Sequence, residues 1–250
     1  MKTREIKNQS PNDIMQFDAI CDIFINDPID LIEKIDAFPR YSSRQSLAKF
    51  FTKYELFKKI LHTNGSIVEC GVLHGAGLLA WAKLSSIFEP VNHTRKIIGF
   101  DTFEGFPDLN EKDTKKGNSS HFHQGGLSGL SYDRVQKAVD VYDINRPLNH
   151  IPKIEMIKGD ICETAEKFVI DNPHLVVSLL YLDLDLYEPT KKALEIFYPL
   201  MPKGGIIVYD ELNAKMFPGE TIAVKDFFKL NSLRIERFPF DSYVSYSVIE

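Results

Sequence analysis

Apolar positions recur at helical spacing through the first sixty residues. Ile14, Phe17, Ala19, Ile20, Ile23 and Phe24 fall on one helix face, and Leu47, Phe50, Phe51, Tyr54, Phe57, Ile60 and Leu61 on another. The spacing predicts helices across residues 13–61, broken at Pro39-Arg40-Tyr41-Ser42, with the polar residues 1–12 frayed. After residue 62 the period changes. Short apolar runs at 66–70, 96–100, 154–158, 176–182 and 205–209 read as strands. They alternate with helical stretches at 75–88, 131–142, 164–170, 189–198 and 221–230. Ser131 is placed to cap the second of these helices. Two last runs, 233–238 and 243–249, are joined too tightly for a crossover and must pair antiparallel. The expected fold is α/β: a mostly parallel seven-stranded sheet with helices on both faces, an antiparallel C-terminal pair, and an N-terminal helical extension. Residues 1–61 form that extension, as a lid, a dimer surface or a cap on the sheet edge, and residues 62–250 the α/β domain.

Composition narrows the function. The chain has 250 residues and a formal net charge of −5. It has no dense basic run to neutralise phosphates, which argues against a nucleic-acid partner. Lys115-Lys116 and Lys191-Lys192 are isolated pairs that read as solvated faces. Cys21, Cys70 and Cys162 form neither a disulfide framework nor a metal-binding CxxC pair, which points to a reducing compartment. No stretch has the apolar core of a signal peptide or the length of a membrane span, so a cytoplasmic protein is expected.

The chemistry gathers where strands end. Glu69-Cys70-Gly71-Val72-Leu73-His74-Gly75-Ala76-Gly77 joins the first strand to its helix; Gly71 and Gly75 allow a tight turn, and the helix N-terminus suits an anion. The spacing is neither GxGxxG nor a P-loop, which disfavours nicotinamide dinucleotides and nucleotide triphosphates. Asp101 ends the second strand, where an acid commonly grips ribose hydroxyls; Glu104 competes for that role, and turn capping is the alternative. Asp160 ends the third strand, either near an adenine edge or as a helix cap. Asp183 and Asp185 follow the fourth strand and point to one side if the strand persists. Asp210 and Glu211 follow the fifth. Two or three of these four carboxylates suit a hard cation such as Mg²⁺. His74, His121 and His123 read as exposed loop residues. Trp81 reads as core, Phe100, Phe103 and Phe106 as core or an adenine wall, and Tyr187 as a substrate contact or packing.

The ordered set Glu69-x-Gly71-x-x-x-Gly75, Asp101-x-Phe103-Glu104-Gly105-Phe106-Pro107, Asp183-x-Asp185-x-Tyr187, Lys203-Gly204-Gly205 and Asp210-Glu211 resembles the macrocin O-methyltransferase (TylF/MycF) family, as does Pro218-Gly219-x-x-x-Ala223-Val224-x-x-Phe227. The resemblance runs from about Tyr54 to Phe228. It implies a Rossmann-like class I methyltransferase fold and transfer of a methyl group from S-adenosylmethionine to a sugar hydroxyl with Mg²⁺. It implies Asp183, Asp210 and Glu211 as metal ligands and Glu69, Gly71 and Asp101 as cofactor contacts; Gly75 and Asp160 join the cofactor set by position. Asp210 or Asp185 is the expected proton acceptor. The sequence departs from the family at Glu211, where a second aspartate is usual, and in the polar segment 107–129, which should help to define the acceptor. Two rivals remain on the same fold: a hydroxylase-like enzyme and a non-catalytic S-adenosylmethionine-binding protein.

Overall fold

The computed structural model describes residues 9–114 and 119–250. Lys115-Lys116 and the first eight residues lie outside that set. Helix α1 (Pro11–Asn26) starts earlier than the periodicity suggests, because Ser10 and Asp13 cap it reciprocally. Ser10 Oγ accepts the Asp13 N–H, and Asp13 accepts the Ser10 N–H at 2.9 Å. The break expected at Pro39 is divided. The chain leaves the helix at Asp27, forms α2 (Leu31–Asp36), turns at Ala37, and enters α3 (Phe38–Tyr41) with Pro39 in its first turn. A proline there forfeits no helical hydrogen bond. Ser43 then caps α4 (Arg44–Ile60) by accepting the Ser46 N–H.

The alternating part follows as β1 (Ser66–Cys70), α5 (Ala76–Phe88), β2 (Ile97–Asp101), α6 (Glu111–Thr114), α7 (Tyr132–Ile144), β3 (Ile154–Lys158), α8 (Ile161–Asp171), β4 (Val177–Leu182), α9 (Tyr187–Phe197), β5 (Ile206–Tyr209), α10 (Pro218–Phe227), β6 (Glu236–Arg237) and β7 (Ser245–Val248). The strands form one seven-stranded sheet in the order β3-β2-β1-β4-β5-β7-β6. Its first five members are parallel, while β7 runs antiparallel to both β5 and β6. Strand order reverses between β1 and β4, which opens a crevice at their carboxyl ends.

Side-chain alternation splits the core into two layers. On β4, Leu179 and Tyr181 join Trp81, Leu78 and Phe57 on one face, whereas Leu180 and Leu182 join Phe100, Phe197 and Val224 on the other.

Three further departures from expectation bear on the site and the sheet edge. Helix α8 begins three residues early because the Asp160 side chain takes the Cys162 N–H. Strand β6 keeps only two paired residues, Glu236 and Arg237, and a 3₁₀ turn at Leu230–Ser232 precedes it. Strand β4 stops at Leu182, and Asp185 adopts φ +60°, so the extended conformation does not carry through Asp183 and Asp185.

Candidate active site

A cavity of about 990 Å³ lies at the carboxyl ends of β1, β2, β4 and β5, walled on its far side by α4 and by residues 240–243. Its size is at the top of the usual range for ligand sites, enough for a nucleoside cofactor and an acceptor together. Glu69, Gly71, Asp101, Asp160, Asp183, Asp185, Asp210 and Glu211 all line it; Gly75 does not, although its neighbours His74 and Ala76 do.

The glycine loop crosses the end of β4. Gly71 has φ +98°, and a Cβ there would run into the Asp183 carbonyl oxygen, so both conformation and contact require glycine. Gly75, also left-handed at φ +80°, holds the N-cap position of α5 and packs against Val135. Asp101 is already engaged with backbone. Its Oδ2 accepts the N–H groups of Val72 (2.7 Å) and Leu73 (2.8 Å), and its Oδ1 accepts that of Phe103 (2.6 Å). Asp101 therefore shapes the glycine loop and its own turn as well as bordering the cavity. Asp160 caps α8 from the cavity wall. Glu104 points away into an ion pair with Lys158 at 2.9 Å.

Glu69 is only 2% exposed. Its Oε1 lies 3.4 Å from Lys53 Nζ, and its Oε2 makes no hydrogen bond of good geometry among the described residues. Burial pushes its carboxyl up to about 7, with Lys53 pulling the other way.

The acidic side is crowded. Tyr181 donates its hydroxyl to Asp210 Oδ1, and Lys49 Nζ stands 3.8 Å from Asp210 Oδ2. Burial, then the charge of Asp210, lifts the Asp183 carboxyl well above the ordinary carboxylate range. Glu211 is pushed up to about 12 by burial, then by Asp185 and Asp210, and its carboxyl is within hydrogen-bonding reach of Asp185. Glu211 Oε2 is nonetheless buried without a partner. Two touching carboxyls need a shared proton or a cation between them. Oxygen donors of this kind, one of them unpartnered, fit a hard dication in chemistry. Among the described residues, however, no three His, Cys, Asp or Glu side chains converge closely enough to hold one as they stand.

Several site residues carry no motif. Lys49 and Lys53 come from the N-terminal extension, four apart on α4, and no sequence pattern singles them out. Glu220, fully buried on α10, accepts the Glu211 N–H on Oε1 at 3.0 Å and leaves Oε2 unpartnered. Asp241 accepts Thr52 Oγ1–H at 2.6 Å on the cavity rim. Tyr187 takes the packing role: its N–H meets Asp113 Oδ1 at 2.8 Å and its hydroxyl Asp226 Oδ2 at 2.9 Å. Trp81 and Phe103 are core, whereas Phe100, fully buried, and Phe106 both line the cavity. His74 is exposed on the cavity wall, and neither His121 nor His123 reaches it.

With the glycine loop and the acidic floor sharing one cavity at the switch point, the chain matches the family Macrocin-O-methyltransferase (TylF) over residues 55–246. The chain belongs to this family. It is similar to the crystal structure of CalS11, calicheamicin methyltransferase, with 29% identity, a TM-score of 0.92, and coverage of 98% of this chain and 96% of that one. It is also similar to apo CalS11, described as TDP-rhamnose 3'-O-methyltransferase of calicheamicin biosynthesis, at 28% identity, TM-score 0.83 and 96% coverage of each chain. The O-methyltransferase NovP shares the fold at 21% identity and TM-score 0.65, covering 81% of this chain and 80% of that one. No curated protein matches the sequence. As a TylF-family member the protein is an S-adenosylmethionine-dependent O-methyltransferase with the class I fold. Among the described residues, no helix is long and apolar enough to cross a membrane.

Proposed function

We propose that this TylF-family enzyme is Mg²⁺-dependent and methylates a hydroxyl of a sugar, carried as a nucleotide sugar, on a natural product or on a surface-polysaccharide precursor. The observation that carries the reading is the acidic floor, Asp183, Asp185, Asp210 and Glu211, adjoining the glycine loop in one cavity. The likeness to CalS11, a TDP-rhamnose 3'-O-methyltransferase, supports the sugar. Three free cysteines support a reducing, cytoplasmic setting. Residues 1–61 act as a lid, a role supported by the α4 side chains that wall the cavity.

When bound, S-adenosylmethionine supplies an electrophilic methyl group and Mg²⁺ a Lewis acid that lowers the pKa of a hydroxyl. Asp183, Asp210 and Glu211 would hold the metal. Glu69 and the loop at Gly71 would hold the cofactor beside them, with Asp101 keeping that loop in shape. The hydroxyl proton passes to Asp210 or Asp185; Asp210 is the better oriented, because Tyr181 fixes one of its oxygens. Enclosure by α4 excludes water and holds acceptor and donor in line.

The test is a methyl-transfer screen over nucleotide sugars with S-adenosylmethionine, in Mg²⁺ or in EDTA, read by product mass. A methylene gain that EDTA abolishes is the expected result. Turnover unchanged in EDTA removes the metal, and a gain of oxygen instead of a methylene removes methyl transfer.

A further inference from the structure

The family match begins at residue 55, so it says nothing of Lys53. This lysine is nonetheless the most enclosed cation of the site. Only 11% of its side chain is exposed. Its ammonium sits 3.6 Å from the centre of the Tyr181 ring and 4.8 Å from that of Trp81, with Glu69 Oε1 at 3.4 Å. A buried ammonium is costly unless its surroundings compensate, and a methionine or leucine would anchor α4 against α5 more cheaply. Packing alone therefore does not account for it.

What Lys53 touches does account for it. The Glu69 pair is longer than the 2.7–2.9 Å of a strong charge-assisted hydrogen bond, so it leaves the carboxylate short of partners. Glu69 Oε2, on the wall of the cavity, makes no hydrogen bond of good geometry, although the Trp81 indole N–H lies near the carboxylate as well. Gly77 keeps the space clear, since a Cβ there would run into Glu69 Oε1. On the other side, the ring beneath the ammonium belongs to Tyr181, whose hydroxyl holds Asp210. One cation thus contacts both the cofactor-side acid and the tyrosine that orients the acceptor-side acid.

We propose that Lys53 is a positioning residue: from the N-terminal extension it fixes the Glu69 carboxylate against the cofactor's end of the cavity, and Tyr181 with it. The inference rests on Glu69 being a cofactor contact. It makes α4 part of the methyl-donor site and not only a cover over it.

The experiment is a double-mutant cycle on the full chain, Lys53→Met and Glu69→Gln singly and together, read as S-adenosylhomocysteine affinity by calorimetry. Trp81 is the only tryptophan and lies against the ammonium, so its fluorescence reports the same event. Each single variant should weaken binding about tenfold, and the double variant no more than the weaker single, because partners acting as one unit are not additive. The ligand-induced change in Trp81 emission should disappear in Lys53→Met. Lys53→Gln is the second variant should the methionine not fold. A Lys53 variant that binds within about twofold of wild type, or a cycle that sums to about a hundredfold, overturns the proposal. Glu69→Gln without effect overturns it too, by removing the cofactor contact on which it rests.

Discussion

The two ends of this sheet both bury charge, and they treat it in opposite ways. At the amino end, Arg95 is 3% exposed, and its charge is matched by Glu89 and its Nη atoms are engaged, although its Nε makes no hydrogen bond of good geometry. Its Nη atoms donate to the carbonyls of Gly65 (2.8 Å), Ile60 (3.1 Å) and Thr63 (2.9 Å) and to Ser178 Oγ (2.6 Å), while its Nε lies 2.8 Å from Glu89. Lys153 beside it donates to the Asn92 carbonyl at 2.7 Å. At the carboxyl end, Asp183, Asp210 and Glu211 surround Lys49, Asp185 and Glu220 add further carboxyls beside them, and Glu211 and Glu220 each keep an unpartnered oxygen. Backbone strain is placed in the same way. Among the described residues, four of the six non-glycine positions with positive φ, Leu73, Phe103, Asp185 and Asn213, follow the carboxyl ends of β1, β2, β4 and β5, while Leu127 precedes α7 and Leu148 leads into β3. Charges that serve the fold are satisfied within it, whereas these are left for something the fold does not contain.

The contrast breaks most visibly at its two central residues. Asp210→Asn keeps an oxygen for the Tyr181 hydroxyl but removes the negative charge and the proton acceptor. Methyl transfer should fall about 10³-fold, with no loss of folding stability. Arg95→Met should do the reverse: it strands Glu89 and several buried carbonyls and costs about 3–5 kcal/mol. Steady-state kinetics and urea unfolding on both variants decide the matter. An Asp210 variant that stays active, or an Arg95 variant that stays stable, dissolves the distinction.

Stability against pH gives a finer version. Burial lowers the Lys153 ammonium to about 8, so between pH 8 and the ordinary lysine value of 10.5 the unfolded chain binds the extra proton. Lys153 must then contribute stability that rises with pH across that window, by about 1.5 kcal/mol between pH 8 and 9.5 at 1.36 kcal/mol per unit. Lys153→Met should flatten the rise in urea unfolding over this range. An equal slope in the variant would mean that Lys153 does not titrate there.

Much of this was legible in the chain because it is local. The strand ends at Asp101, Asp183 and Asp210 and the turn at Gly71 are each fixed by a few neighbouring residues. Less was legible where a residue's role depends on a distant partner. No sequence pattern singles out Lys49 and Lys53 until β1, β4 and β5 come underneath. Glu220 looks like an ordinary first-turn acid until it meets the Glu211 N–H. Asp101 was readable as a site residue, but not the three N–H groups that occupy it, since they depend on the loop's path in space. The single side for Asp183 and Asp185 required a strand to continue, and the left-handed Asp185 ended it.

Glu220 offers the smallest effect and isolates the carboxyl end from catalysis. Burial, then Asp210, raises its carboxyl well above the ordinary range, while the Glu211 N–H lowers it. With the folded value above the unfolded one, stability is full below about pH 4.5 and falls as pH rises, because only the unfolded chain gains by ionising. Glu220→Gln keeps an acceptor for the Glu211 N–H and removes that penalty. The variant should be more stable than wild type at pH 8 by about 1 kcal/mol, the size of a typical stabilising replacement, and equal to it near pH 4.5. Thermal melts at the two pH values measure the difference. A variant less stable at pH 8 would mean that the Glu220 charge is already compensated within the fold, and the carboxyl end would then resemble the amino end after all.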